Sequence, residues 1–546
     1  MEKERSNDQK HQNKQTKNSE ELSESKNNSQ VSTSFAFQQQ FTSERREVSV
    51  TDSSSFLLFA QIIVCGTLFG IATILLWQLP FSTRFRNRLE PVASMPVQQD
   101  ELECSRTCRI QLVESIAQNL TFPVEYSQQP ALSTFSAWNI LINSAKNSLL
   151  IAAYKSSLRG KHVLGEQALN NISFQGEKMF EALISAGLDR GIQIKMVENA
   201  VAKDKGDNED GNSLAKRGVL NRRLIVADNK HFYLGSANLD WRSLTHKMEM
   251  GVLVQDCPCL SRDLARIFEI YWQASEKKCA KEVQRMIQQM PPAFYNSQKP
   301  LAIFDGENNK LDVHLSASPR SLNSPRRSWD LNDIVEAIKN AKTFIFIHVM
   351  DYFPMFLYTQ KGKYWPPIDN DIREAILRGV KIKIISTALH FPNKGLGFLK
   401  SLEVLGERHS GGSVSVKIFK VPADSFAYQP VLQRDRRTHK KFLMTDDTLI
   451  IGTSNWSGDY FEDLGTGVAI VLKQTEKRRK IPQIFKQMKN LFERDWNSNY
   501  AHLLNFYIKN CLEENEGKES NEICEIEKDP NLLTNFVDIN KTTSTQ

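Results

Sequence analysis

Two stretches of this chain repeat one frame, and that duplication constrains the fold more than any other feature. Thr438 to Tyr460 reads THKKFLMTDDTLIIGTSNWSGDY, and Val219 to Trp241 reads VLNRRLIVADNKHFYLGSANLDW. In the later copy His439 and Lys441 stand two apart, Asp446 follows after four residues, and Gly452-Thr453-Ser454-Asn455 closes the frame. In the earlier copy Asn221, Arg223, Asp228 and Gly235-Ser236-Ala237-Asn238 hold the same places. Residues two apart on a strand share a face. The apolar runs on either side of the aspartates, Phe442 to Met444 and Leu449 to Ile451 in the later copy, predict two short buried strands joined by a turn. The copies lie too far apart for a solenoid repeat, so they mark two halves of a duplicated domain.

The residue types point to phosphate chemistry. Imidazole can attack phosphorus or carry a proton near neutral pH, and an ammonium beside it neutralises phosphoryl oxygens. Ser454 and Asn455, with Ser236 and Asn238 in the first copy, are candidate hydrogen-bond donors to those oxygens. A surface strand with a stray His and Lys is the bland alternative. The aspartate at its spacing and the GTSN turn weigh against it.

Paired His-x-Lys-x4-Asp motifs with G-[ST]-x-N tails resemble the phospholipase D superfamily. YLGSANLDWRSLT, VMDY followed by YWPPID, and GTSNWSGDYF resemble more closely its single-pass type II endolysosomal branch, family members three and four and their inactive relative, member five. The resemblance runs from about Cys104 to Tyr500. It implies an α/β fold of two similar lobes packed with one site between them. It implies that one histidine attacks the phosphodiester to form a phosphohistidine while the other protonates the leaving oxygen, with no metal and no cofactor. His439, Lys441 and Asp446 are then the catalytic set. Asn221, Arg223, Ser236, Asn238, Ser454 and Asn455 are the phosphate-binding set. Asp228, Glu249 and Glu462 (or Asp463) support them, the last two standing where this superfamily keeps the carboxylates that steady its histidines.

The chain departs from that pattern at the first motif, where Asn221 and Arg223 replace His and Lys. Arginine still binds phosphate, through a planar fork rather than a point charge. Asparagine moves no proton near neutral pH. The expectation is a phosphodiesterase scaffold with hydrolysis impaired or absent. The alternative is an active endolysosomal phosphodiesterase, a phospholipase D or a 5′ exonuclease on single-stranded nucleic acid. His231 and His246 lie near the first motif and are expected to be structural rather than replacement acids.

The rest of the chain frames these halves. Residues 1–55 are polar and read as a disordered cytosolic tail. Residues 56–79, FLLFAQIIVCGTLFGIATILLWQL, carry no charge and are long enough to span a bilayer. Gly66 and Gly70 form a GxxxG spacing compatible with a homodimer. A stalk at 80–103 leads to the first lobe, 104–295, with its motif at 215–242. A connector at 296–329 leads to the second, 330–510, with its motif at 434–460, and a polar tail fills 511–546. Arg84, Arg86 and Arg88 alone would place the C-terminal part in the cytosol. The cysteines and sequons argue for the lumen of the endoplasmic reticulum or endolysosome. Cys104 and Cys108 are expected to bridge to Cys257 and Cys259. Asn119, Asn171 and Asn540 are glycosylation acceptors if luminal. A net charge of +7 fits a phospholipid or nucleic-acid phosphodiester without demanding one. Glu198 to Arg217 reads as a loop. Relatives of the branch carry a further helix and strand there that this chain is expected to lack.

Overall fold

The computed structural model describes residues 97–505, apart from 124, 126–129, 166–171, 200–214, 219–222, 278, 361, 388–391, 409–410, 423–431, 433–434, 464 and 476–479. Residues 100–277 and 281–546 form one compact unit. The apolar stretch at 56–79 lies outside the described residues, as do Asn171, Asn540 and Asn221. Among the described residues no helix is long and apolar enough to cross a membrane.

The first lobe is built on β1 (Arg109–Ser115), β2 (Leu132–Ser133), β3 (Ser148–Ala153), β4 (Ser156–Ser157), β5 (Gln193–Asn199), β6 (Ala215–Gly218), β7 (Leu224–Ala227), β8 (His231–Gly235), β9 (Leu239–Asp240) and β10 (Lys247–Gln255). Its sheet runs β2-β1-β10-β8-β7-β3-β5-β6, with β4 and β9 paired apart. The second lobe uses β11 (Leu301–Phe304), β12 (Lys310–Ser318), β13 (Ser328–Trp329), β14 (Phe344–Val349), β15 (Lys381–Ser386), β16 (Ser413–Phe419), β17 (Arg437–Thr438), β18 (Lys441–Thr445), β19 (Thr448–Gly452), β20 (Gly467–Gln474) and β21 (Ala501–Leu503). Its sheet runs β11-β12-β20-β19-β18-β14-β15-β16-β21. From β1 to β6 and from β12 to β16 the two orders match strand for strand, as a duplication requires.

Each central strand is a continuous apolar run because both faces of its sheet are covered. The helices Thr134–Ser144 and Phe174–Leu188 pack outside the first sheet through Trp138, Leu141, Met179 and Leu183. The helices Asp330–Asn340, Pro367–Leu377 and Pro392–Arg408 do so on the second. The helix Thr134–Ser144 starts where it does because the Ser133 hydroxyl caps it, accepting from the Ser136 amide.

One apolar core spans both lobes. The helix Pro258–Ala274 contributes Leu260, Leu264, Ile267, Phe268 and Tyr271, and the helix Gln483–Asn497 contributes Phe485, Met488, Leu491 and Phe492. This three-to-four spacing places each set on one helical stripe. Buried charges join the lobes as well. Arg494 donates to both carboxylate oxygens of Glu114 at 2.8 Å, and Lys440, itself held by Asp495 at 2.6 Å, reaches Glu114 at 3.4 Å. Arg327 grips Asp263 with two bonds of 2.7 and 2.8 Å. Strand β17 leaves its own lobe and pairs parallel with β10, Lys247 beside Arg437 and Met248 beside Thr438.

Three sequence expectations are corrected. The 296–329 segment is no bare connector: β11, β12 and β13 lie in it, and β12 pairs along eight residues with β20. Its Pro-rich and polar composition hides the alternation of KLDVHLSAS. The expected loop from Glu198 to Arg217 begins and ends in strands, since β5 runs to Asn199 and β6 opens at Ala215 and pairs parallel with it. The extra strand expected to be missing is therefore present, while 200–214 lie outside the described residues. The cysteines bridge as expected, and the pairing is nested: Cys104 with Cys259, Cys108 with Cys257.

Candidate active site

The two motif hairpins, β7–β8 and β18–β19, meet where the lobes touch. The inter-lobe strand pairing sets His439: β17 lies on β10, and the His439 amide donates to the Met248 carbonyl at 2.7 Å. Its imidazole thereby faces the first lobe. His439 Nδ1 lies 2.7 Å from Glu249 Oε2, and both side chains are buried. That carboxylate is held on its other sides. The Ser236 hydroxyl donates to Oε2 at 2.5 Å and the Ser243 hydroxyl to Oε1 at 2.8 Å. Ser236 in turn accepts from the Met250 amide at 2.9 Å. With Nδ1–H donated to a carboxylate, the Nε2 lone pair is the free one, as nucleophilic attack requires. Burial first, then Lys441, Arg223, Lys247 and Arg437, holds the His439 pKa well below its usual value, so the ring stays neutral.

Cations crowd this point. Lys441 Nζ donates to the His439 carbonyl at 2.7 Å. Arg223 donates through Nε to Asn238 Oδ1 at 2.6 Å and through Nη1 to the Thr453 carbonyl at 3.0 Å, crossing the lobe boundary. Burial and the neighbouring Arg223 push the Lys441 pKa well down, and burial lowers that of Arg223. Buried cations gathered in this way describe a place where an anion belongs. Asn455 bonds Tyr460 and leaves its buried Oδ1 without a partner.

The two lobes differ in how they support a histidine. The Ser236 amide donates to the Met250 carbonyl and the Thr453 amide to the Val468 carbonyl, at 2.9 and 3.0 Å. That register makes Gly467 the counterpart of Glu249. A Cβ at Gly467 would collide with Ser454 Oγ and come within 2.8 Å of Ser318 Oγ and 3.0 Å of Asp330 Oδ2. The space holds Asp330 instead, the first residue of its helix, bonded to Ser318 at 3.0 Å and Ser454 at 3.2 Å. Burial raises its pKa to about 7. A cavity of about 20 Å³ beside it is lined by Asp330, Lys441, Gly452 and Ser454.

Several expected roles move. Glu462 accepts from the Trp365 indole at 3.2 Å and is exposed, and the Asp463 side chain lies outside the described residues; Asp330 occupies the position they were expected to fill. Asp446 and Asp228 sit at the far turns of their hairpins. Asp446 accepts from the amides of Lys342 and Thr343 and from the Thr343 hydroxyl. Asp228 accepts from the amides of Lys146, Asn147 and Ser148. Each clamps the start of the neighbouring strand rather than touching the site, so Asp446 does not belong with His439 and Lys441. Ser236 and Ser454 point at carboxylates, not at open phosphate space. His231 accepts from the Asp256 amide at the turn end of β8, and His246 packs edge-on against Trp241 beside Thr245. Glu249, Arg223, Asn238, Asn455, His439 and Lys441 do converge. The sequence reading missed Asp330, Ser243, Asp351 and Tyr460; Asp351, in VMDY at the end of a buried strand, was the most visible of these. A broad groove of about 1270 Å³ lies elsewhere, lined among others by Glu103, Lys230 and Gln487, and none of the converging residues lines it.

Comparison with known proteins agrees with this geometry. The family described as "PLD3/4, PLD-like domain" matches residues 126–424. The "5'-3' exonuclease PLD3" of Xenopus laevis is 34% identical over 420 residues, covering 74% of this chain and 83% of that protein. The protein of the same name from Homo sapiens is 32% identical over 417 residues, covering 73% and 81%. A looser likeness is the phosphatidylserine synthase of Haemophilus influenzae, with a TM-score of 0.46 and 10% identity over 75% of this chain and 92% of that one. With the duplicated lobes, the shared site and these relatives together, the chain belongs to the PLD3/4 family of phospholipase D-like proteins.

Proposed function

We propose that this chain is a membrane-anchored phosphodiesterase of reduced power, cleaving nucleic-acid phosphodiesters through one histidine, His439, where its relatives' pattern calls for two. The observation that carries this is the 2.7 Å bond from His439 Nδ1 to Glu249 across the lobe boundary, which leaves Nε2 as the free nucleophile. Attack by Nε2 forms an N–P bond and displaces the leaving oxygen. Lys441 and Arg223 neutralise the phosphoryl oxygens, and Asn238 holds the arginine fork in place. Asparagine in place of the first-motif histidine transfers no proton, while Arg223 keeps its charge, so the loss falls on turnover more than on affinity. The relatives named as 5'-3' exonucleases support a nucleic-acid end as substrate over a lipid.

Residues 56–79 anchor the chain, and the two lobes lie on the luminal side. Two disulfides and an exposed Asn119 in a sequon support that topology. Endoglycosidase treatment should shift the mobility of the full-length protein. The functional test is turnover of a 5′-labelled oligonucleotide and of a generic phosphodiester by the purified luminal part beside His439→Ala. Slow turnover that His439→Ala abolishes is expected. Fast turnover indifferent to His439 would overturn the reading.

A further inference from the structure

The chain keeps one imidazole but surrounds it with a second acid. Asp351 lies just past β14, whose last paired residue, Val349, sits opposite Lys441 of β18. The pairing ends there, at the end of β18 that leads back to His439, and Asp351 follows two residues on. Two bonds hold the backbone there: the Thr387 amide donates to the Met350 carbonyl at 3.0 Å, and the Phe353 amide to the Trp456 carbonyl at 2.8 Å. Asp351 is only 6% exposed, and its Oδ1 has no hydrogen-bond partner. A buried carboxylate oxygen left unpaired is costly unless a substrate or proton completes it. The groups that face it are Lys441 of β18, Arg437 of β17, Tyr358, and Tyr460 in the short helical turn Asp459–Asp463. Tyr460 bonds Asn455, so the Asp351 carboxyl and the phosphate-binding amide share one wall of the site.

The geometry points to Asp351 as the general acid that replaces the missing first-motif imidazole, an inference that rests on His439 being the nucleophile. His439 Nε2 attacks phosphorus and forms the N–P bond. The P–O bond to the leaving group breaks with its electron pair on oxygen, and the Asp351 proton moves to that oxygen to release an alcohol. The Asp351 carboxylate then takes a proton from water. Water's oxygen attacks phosphorus, the P–N bond breaks with its pair returning to Nε2, and a phosphate monoester leaves. Burial pushes the Asp351 pKa up to about 6 against the opposing pull of Lys441 and Arg437, which keeps a proton available in mildly acidic solution.

The test compares two nucleotide diesters, one with a p-nitrophenyl leaving group and one with an unactivated sugar alcohol. A nitrophenolate leaves without help from an acid, whereas an alkoxide does not. Asp351→Asn should cut cleavage of the unactivated diester by about 10² or more. It should also remove the fall in that activity as pH rises through about 6. The nitrophenol burst should drop less than about fivefold, and Asp351→Glu should restore part of the unactivated rate. An unchanged melting temperature would exclude misfolding as the cause. If Asp351→Asn cleaves the unactivated diester within twofold of the native rate, Asp351 is not the acid, and His439 as nucleophile still stands. A native protein that gives the nitrophenol burst but never cleaves the unactivated diester overturns the acid role in the same way. Absence of any burst that depends on His439 overturns both.

Discussion

Replacing Glu249 by Gln isolates the contact on which the site is built. The carboxylate accepts from His439, Ser236 and Ser243 at 2.7, 2.5 and 2.8 Å. An amide fits the same space, and the Ser243 hydroxyl can turn to accept from its NH₂, so the shape survives and the charge does not. A charge-assisted hydrogen bond exceeds a neutral one by about 1 to 1.5 kcal/mol. As positive charge develops on the attacking imidazole, a carboxylate about 4 Å away is worth at most about 4 kcal/mol at an effective dielectric of 20. The first step should therefore slow by roughly ten- to a thousandfold. The assay is the rate of the nitrophenol burst from an activated diester under single-turnover conditions. Burial already raises the Glu249 pKa to about 7, so removing its charge relieves a desolvation cost. The melting temperature should hold or rise. A burst within threefold of the native rate would refute the claim that Glu249 prepares His439.

Three further outcomes follow from the packing. The His348 imidazole, buried beside Thr438 and Asp495, has its pKa lowered to about 3 by burial, so the unfolded chain alone takes up that proton as pH falls below about 6.5. His348→Phe should therefore lose less stability than the native protein between pH 7 and pH 5, by about 1–2 kcal/mol in denaturant titrations at the two pH values; an equal loss would contradict this. The nested disulfides should be strongly non-additive. With one bridge intact the other closes a ring of only about six residues, worth about 2 kcal/mol, whereas losing the last one frees a loop of 149 or 155 residues, about 5 kcal/mol more. Calorimetry of the Cys104→Ser/Cys259→Ser protein and of the four-serine protein decides it. Arg494→Leu removes both short bonds to Glu114 in the inter-lobe core, leaving it Lys440 at 3.4 Å, and should cost about 3–5 kcal/mol, read as a lower denaturation midpoint.

Much of this architecture was legible because its signals are local. The apolar runs of β7, β8, β18 and β19 and the fixed offsets of His439, Lys441 and Asn455 carry the duplication on their face. What was not legible depends on which residues the lobes bring together. Glu249 could be proposed as a support for a histidine, but that it serves the histidine of the opposite lobe follows only from β17 lying on β10. Glu462 looked equivalent because the family resemblance calls for a carboxylate past the GTSN turn. The register shows Gly467 to be the counterpart, with Asp330, more than a hundred residues earlier, filling the space. Asp446 and Asp228 misled for the opposite reason. They sit inside the motif, yet a strand of four residues (β7) or five (β18) carries them to the far end of the hairpin, where they clamp backbone amides. The strands within 296–329 were hidden because they lie between Pro and polar residues, and β12 reads as linker until its partner β20, far along the chain, is known.

The central claim is that His439 is the nucleophile. Its most direct test is a denaturing quench at alkaline pH during turnover of a ³²P-labelled nucleotide diester, followed by peptide mapping under alkaline conditions for an acid-labile phosphohistidine. The account predicts label on the peptide carrying His439, absent from His439→Ala and strongly diminished in Glu249→Gln. Label on His231 or His246, or turnover that continues in His439→Ala, would contradict it.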